Sequence, residues 1–294
     1  MSDTINSEFR RLIDEGVYPV VTLSLLEILN KIEINESNIE YLKETLESYK
    51  NYLNLIENLP LELKEAFLLT LKQNEIISNH ETENEDKFML RFYDNVKKIN
   101  SIDVGMLMIN EKISVKDIQV LHQVLMDGTS KIDADNYKLR TDDTHFVGSV
   151  ENGKNVINYF PIRKEENYQA MQLIASYINE EVNDENMILV QPFIIHGAIA
   201  AVQSFDDGNT RLARLIQHLK IWQLSKQFNI SHINIPAIYL SKSYLLTRAM
   251  YRKKINNIVI DSNNKAWNDW ITYNLNMFNE QIYFGETNLG KIRW

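Results

Sequence analysis

Two apolar runs, Phe193 to Val202 and Leu212 to Leu224, are joined by a short polar stretch, and this arrangement constrains the fold more than any other feature of the chain. The stretch reads Gln203-Ser204-Phe205-Asp206-Asp207-Gly208-Asn209-Thr210-Arg211, followed by Leu212-Ala213-Arg214. Runs of this length and composition read as buried helices, so the polar residues are confined to a tight turn between them. The first turn of the second helix leaves backbone N–H groups without intrahelical partners, which makes it a ready anion site. Arg211 and Arg214, three residues apart, face the same side of that helix and can reach one phosphate. The carboxylate of Asp207 suits a divalent cation. Together these residues describe a pocket for a nucleotide polyphosphate.

The rest of the chain reads as mainly helical. Gly and Pro are sparse, with 9 and 5 in 294 residues, while Leu, Ile, Asn, Glu and Lys dominate. Residues 6–30 read as helix with a break at Gly16 to Pro19. Asn35 to Leu55 carries Ile39, Leu42, Leu46 and Tyr49 at helical spacing, and Pro60 opens a helix over Leu61 to Ile77. Phe88 to Ile99 is helical, Met106 to Asn110 reads as a short link, and Ser114 starts a helix with Ile118, Leu121 and Leu125 on one face. Further helices are expected at Tyr168 to Val182, Pro192 to Val202, Leu212 to Phe228, Ser241 to Ile255 and Trp267 to Gln281. A single β element stands out. His145 to Val150 and Val156 to Phe160 flank Asn152-Gly153, a hairpin signal.

A formal net charge of −9 argues against a general binder of nucleic-acid backbones. The absence of cysteine excludes disulfides and thiolate metal sites. No charged-then-apolar leader opens the chain and no apolar run approaches the roughly 20 residues of a membrane span, so a cytoplasmic setting is expected.

The turn and its flanks resemble the signature of the Fic (Fido) family, His-x-Phe-x-(Asp/Glu)-Gly-Asn-(Gly/Lys)-Arg-x-x-Arg. Phe205, Asp207, Gly208, Asn209, Arg211 and Arg214 match; Gln203 stands in place of the His, and Thr210 in place of Gly or Lys. The resemblance extends from about residue 75 to 283. Leu121-His122 onward resembles the helix that opens the family's core, and Pro236 to Ser241 with Tyr251 and Trp267 to Trp270 resembles its closing helices. It implies a mainly α fold, the Fic helical core with a single β-hairpin flap at 140–161. Residues 1–100 would form an N-terminal helical region, 101–255 the core with the signature at 203–214, and 256–294 a C-terminal helical closure.

It further implies an adenylyltransferase: a hydroxyl of a target protein, docked by strand addition on the flap, attacks the α-phosphorus of ATP. Asp207 would hold Mg²⁺. Gly208, Asn209 and Thr210 would cradle phosphate, and Arg211 and Arg214 would hold the outer phosphates. The target itself is not legible, and the resemblance leaves homo-oligomers open. Residues 78–84, with Asn79-His80-Glu81-Thr82-Glu83-Asn84, resemble the family's inhibitory segment, in which Glu83 would pair with Arg214 and displace the γ-phosphate; the other reading is a solvated acidic loop.

Gln203 occupies the position of the family's base, and an amide does not accept a proton near neutral pH. The expectation is therefore a nucleotide-binding protein with lost or strongly attenuated catalysis. The alternative is an active nucleotidyl- or phospho-transferase using altered chemistry. Thr210 adds a β-branched side chain where the family's glycine allows close backbone approach. As substitute bases, His196 reads as structural, His145 as a loop histidine near the flap, and Asp206 as pointing away from Asp207. His80, His122, His218 and His232 show no metal-ligand spacing.

Overall fold

A computed structural model describes residues 11–81, 101–127, 138–151 and 154–292. The expectations for Glu83, for a helix at 88–99 and for the Asn152–Gly153 turn lie outside these residues. Within them the chain is helical apart from one antiparallel hairpin, as expected. The helices are α1 (Ser24–Glu27), α2 (Glu36–Glu57), α3 (Leu61–Glu81), α4 (Ser101–Ile109) and α5 (Val115–Met126), followed after the hairpin by α6 (Lys164–Ile178), α7 (Met187–Val202), α8 (Asn209–Gln227), α9 (Ser241–Leu246), α10 (Arg248–Asp261) and α11 (Asn264–Ile292). No helix among the described residues is long and apolar enough to cross a membrane.

Local chemistry explains several boundaries. Asn35 caps α2 by accepting the Asn38 N–H at 2.9 Å. Ser114 and Asp117 form a reciprocal capping box that starts α5 at the position its sequence indicates. The hairpin pairs β1 (Val147–Glu151) with β2 (Lys154–Tyr159), Gly148 opposite Ile157 and Glu151 opposite Lys154, with a register irregularity at Val147/Gly148.

Other boundaries depart from the sequence expectations. Of residues 6–30 those from 11 onward are described: Arg11 to Asp14 are helical and the helix stops ahead of Gly16 to Pro19, but after the break Val20 makes a parallel bridge to Phe160, and α1 is a single turn that buries Leu25 and Leu26. Met106 to Asn110 is not a link, because α4 runs from Ser101 to Ile109 and buries Ile102, Gly105 and Ile109 on the face turned to α8. α7 begins at Met187, five residues before Pro192; the buried Ile188, Leu189 and Val190 hold the extra turn despite the proline. Ser241 to Ile255 is not one helix. At Thr247 the backbone leaves helical geometry (φ −111°, ψ 28°) and its hydroxyl donates to the Ser243 carbonyl at 2.8 Å, so α9 ends there and α10 starts at Arg248.

α7 is the centre of the molecule. It is buried from Ile188 to Val202 and lies against α6, α8, α10 and α11. Trp270 of α11 donates its indole N–H to the Phe193 carbonyl at 2.7 Å and packs edge-on to His196. The crossing is close at Gly197, where a Cβ would come within 2.9 Å of both Trp267 and Trp270.

Candidate functional site

α7 stops at Gln203, which takes the left-handed conformation (φ 53°, ψ 53°) and turns the chain into the signature loop. Arg140 fastens the turn from outside: its Nε donates to the Gln203 carbonyl at 2.9 Å, another guanidinium nitrogen donates to the Ile162 carbonyl at 2.6 Å, and its backbone N–H donates to the Ser204 carbonyl at 2.8 Å. The amide of Asn167 donates to that same Ser204 carbonyl at 3.0 Å.

Inside the loop, Asn209 bridges its two ends. The side-chain oxygen accepts the Phe205 N–H at 2.9 Å and the side-chain nitrogen donates to the Phe205 carbonyl at 2.7 Å. Asn209 is buried, and its amide is committed to the loop rather than to a ligand. Phe205 stacks on the His122 ring, centroids 3.9 Å apart, and His122 Nε2–H donates to the Asp207 carbonyl at 2.8 Å. α5 therefore braces the loop from below. Gly208 follows at φ 79°, a left-handed conformation that glycine adopts without strain. A Cβ there would come within 2.5 Å of Met126 Sδ and 2.9 Å of His122 Nε2.

α8 starts at Asn209 without a side-chain cap from Gly208. Asp207 lies over that terminus: Oδ1 accepts the Gly208 N–H at 2.6 Å and is 3.2 Å from an Arg211 guanidinium nitrogen. The carboxylate thus sits where a helix N-terminus and a cation favour negative charge. Arg211 and Arg214 are completely buried. Arg214 Nε donates to the Asn79 side-chain oxygen at 2.6 Å and a further guanidinium nitrogen donates to the Asn79 carbonyl at 3.0 Å. The C-terminal end of α3, inside the stretch that resembles an inhibitory segment, therefore reaches the second signature arginine through Asn79.

These elements enclose a cleft of about 260 Å³. Gln203, Asp206, Asp207, Gly208, Asn209 and Thr210 line it from the loop; Phe146 to Gly148, Asn158 and Tyr159 from the hairpin; Arg248, Tyr251, Arg252, Ile255 and Asn256 from α10. The structure brings the loop residues singled out by sequence to one wall. Arg211 and Arg214 stand behind that wall. The α10 residues were not singled out apart from Tyr251; two arginines at i and i+4 are the signal that could have found them.

Gln203 is half-buried at the cleft wall and folds back, its amide nitrogen donating to the Ala200 carbonyl at 2.6 Å. Its histidine neighbours are differently placed. His196 is fully buried between the Gln217 amide oxygen and the Tyr251 hydroxyl, and burial, with help from Arg214, holds it well below the usual imidazole range. Burial lowers His122 to about 4. His145 is on the rim, 37% exposed, with Nε2 3.7 Å from Asp206.

Divalent-cation chemistry fits this loop in one way only. No cluster of three or more His, Asp or Glu exists among the described residues. Asp207, with Asp206 beside it, presents a partly exposed carboxylate to the cleft, which matches Mg²⁺ held by one protein carboxylate together with ligand phosphates.

The buried imidazoles make stability depend on pH. His122 stays neutral in the folded chain down to about pH 4, whereas in the unfolded chain it protonates near 6.5. The unfolded state therefore binds more protons between those values, and stability falls as pH drops from about 6.5 towards 4. The loss is about 1.4 kcal/mol per pH unit per proton. His122→Gln, which keeps an N–H donor for Asp207, is expected to reduce the slope of unfolding free energy against pH by about one proton. Urea titrations from pH 7 to 4.5 read this directly.

The Fic/DOC family model matches residues 112–220, a span that includes α5, the hairpin, α6, α7, the signature loop and the first part of α8. Among solved structures, the chain is similar to a Fic family protein from Desulfovibrio desulfuricans G20, with 15% identity, a TM-score of 0.62, and coverage of 87% of this chain and 76% of that one. No curated protein sequence matches. The hairpin, the loop and the start of α8 all lie within the matched span, and residues 112–220 are therefore similar to the Fic/DOC family.

Proposed function

We propose that the chain binds ATP with Mg²⁺ in the cleft and transfers AMP from it weakly or not at all. The observation that carries this reading is Gln203 at the cleft wall. A side chain that can orient a hydroxyl but cannot take its proton stands at the end of α7, where the family likeness assigns the base. General-base help is worth roughly 10² to 10⁴-fold, so its loss attenuates transfer strongly.

The remaining parts support binding. The N-terminus of α8 favours a phosphate, and Asp207 is placed to hold the metal that a polyphosphate carries. Asp207 must release Arg211 or share it when such a ligand enters, and that exchange would bring Arg211 to the phosphates. Asn209 maintains the loop, and Thr210 sets how closely the phosphates approach. In this reading residues 1–100 are an N-terminal helical region that includes the candidate inhibitory segment 78–84, 101–255 the core and 256–294 its closure, in a cytoplasmic protein whose target docks on the hairpin. Glu83 would hold Arg214 in the inhibited state; Asn79, four residues earlier and already bonded to Arg214, supports an approach by this segment.

Calorimetry with ATP and MgCl2 tests the binding half. Micromolar affinity that falls at least about tenfold in Asp207→Ala is expected; an absence of heat sinks it. A second reading, an active transferase with altered chemistry, draws on His145 beside Asp206 at the rim. Incubation of a cell lysate with α-phosphate-labelled ATP separates the two. Strong labelling that His145→Asn abolishes would favour the second.

A further inference from the structure

Two cations of the cleft belong to neither the signature nor the hairpin. Arg248 opens α10 and Arg252 stands one turn further on; both line the cleft. The i, i+4 spacing puts their stems on one face, Cβ atoms roughly 5–6 Å apart. The rotation of α10 about its axis is fixed from within. Tyr251, between them in sequence, is buried and donates its hydroxyl to His196 Nε2 at 2.8 Å, so the helix cannot roll without breaking a buried hydrogen bond. Arg252 is exposed and Arg248 half-buried. The signature arginines, by contrast, are completely buried and do not line the cleft.

The cleft is therefore bipolar, with the carboxylates of Asp206 and Asp207 on the loop and two guanidinium groups on α10. We infer that Arg248 and Arg252 form an anion subsite on the α10 wall that takes a phosphate group of the ligand. Guanidinium forks at this spacing can each give paired N–H donors to phosphate oxygens. The acidic loop selects phosphate over a simple carboxylate. A bare carboxylate between the two walls meets repulsion from Asp206 and Asp207, whereas a phosphate brings a divalent cation that those residues attract. The inference rests on the proposed nucleotide reading only for the identity of the ligand; the subsite is defined by its charge.

Calorimetry on the full chain with MgCl2 and three probes, ATP, inorganic triphosphate and adenosine, tests it. Arg252→Glu, and separately Arg248→Gln with Arg252→Gln, are expected to weaken ATP and triphosphate alike by about tenfold to a hundredfold and to leave adenosine unchanged. Arg252→Lys, which keeps the charge, should restore part of the affinity. An unchanged thermal midpoint keeps a folding defect out of the result. Variants that lose adenosine and ATP together while retaining triphosphate would make α10 a base-binding wall and overturn the inference. Undiminished ATP binding in the variants overturns it while leaving the nucleotide reading intact. Wild-type chain that binds triphosphate as tightly as ATP, with the arginine variants impaired, supports the subsite and removes the nucleotide reading. Binding of neither ATP nor triphosphate by the wild type overturns both.

Discussion

Gln203→His is expected to raise AMP transfer to protein by about 10² to 10⁴-fold, the range that a positioned general base contributes. The substitution is well suited to its site. Gln203 is in the left-handed region, at φ 53° and ψ 53°, and histidine is among the non-glycine residues enriched there. The turn does not depend on the side chain, since Arg140 holds the backbone carbonyl. The glutamine side chain already lines the cleft, so an imidazole in its place faces the same space. Label incorporation from α-phosphate-labelled ATP, compared at equal nucleotide saturation, measures the gain. Transfer unchanged from wild type, with ATP binding intact and Asn79→Ala added to loosen α3, would mean that the missing base is not what limits the chain. Thr210 would then be the next residue to change, since its β-branched side chain stands where the family pattern admits Gly or Lys.

Trp270→Ala is expected to lower the unfolding free energy by about 3–5 kcal/mol, the usual cost of truncating a buried tryptophan. The side chain is fully buried and fills the crossing between α11 and α7. Its indole N–H donates to the Phe193 carbonyl at 2.7 Å, so truncation also removes a buried hydrogen bond between α11 and α7. The neighbouring Gly197 has no atoms with which to fill the resulting space. Because α7 carries Gln203 at its end, nucleotide affinity should fall along with stability. Urea denaturation at pH 7 provides the value; a loss below about 1 kcal/mol would show that the crossing is not the packed junction described.

Much of this was legible in the sequence, for identifiable reasons. Ser114 and Asp117 announce α5 because a capping box is a local arrangement of four residues that needs no tertiary partner. β1 and β2 are legible because β-branched and aromatic runs meet around Asn-Gly. The loop was legible because Gly208 and Asn209 meet a backbone requirement: one supplies a left-handed residue, the other bridges Phe205. What the sequence hid was settled by distant contacts. α4 reads as a link until Ile102 and Ile109 are seen against α8. α7 extends across Pro192 because its first turn is buried on all sides. The break at Thr247 depends on a hydroxyl turned back to Ser243, and no glycine or proline marks it. For the site, residue types were readable but their outward or inward direction was not. Arg211 and Arg214 look like ligand-facing cations and are buried, while Arg248 and Arg252 look like surface charge and line the cleft.

Asn79 and Trp270 both lie outside the 112–220 span that the family model matches, one at each end. Asn79 supplies two acceptors to a completely buried guanidinium, and Trp270 seals the central helix. A fragment cut at the family boundaries would therefore leave Arg214 without these acceptors and the far side of α7 facing water. Here the smallest autonomous unit is larger than the span that the family model matches. Expression strategies built on the matched span alone should yield insoluble or partly folded material, whereas boundaries drawn to include α3 and α11 should not.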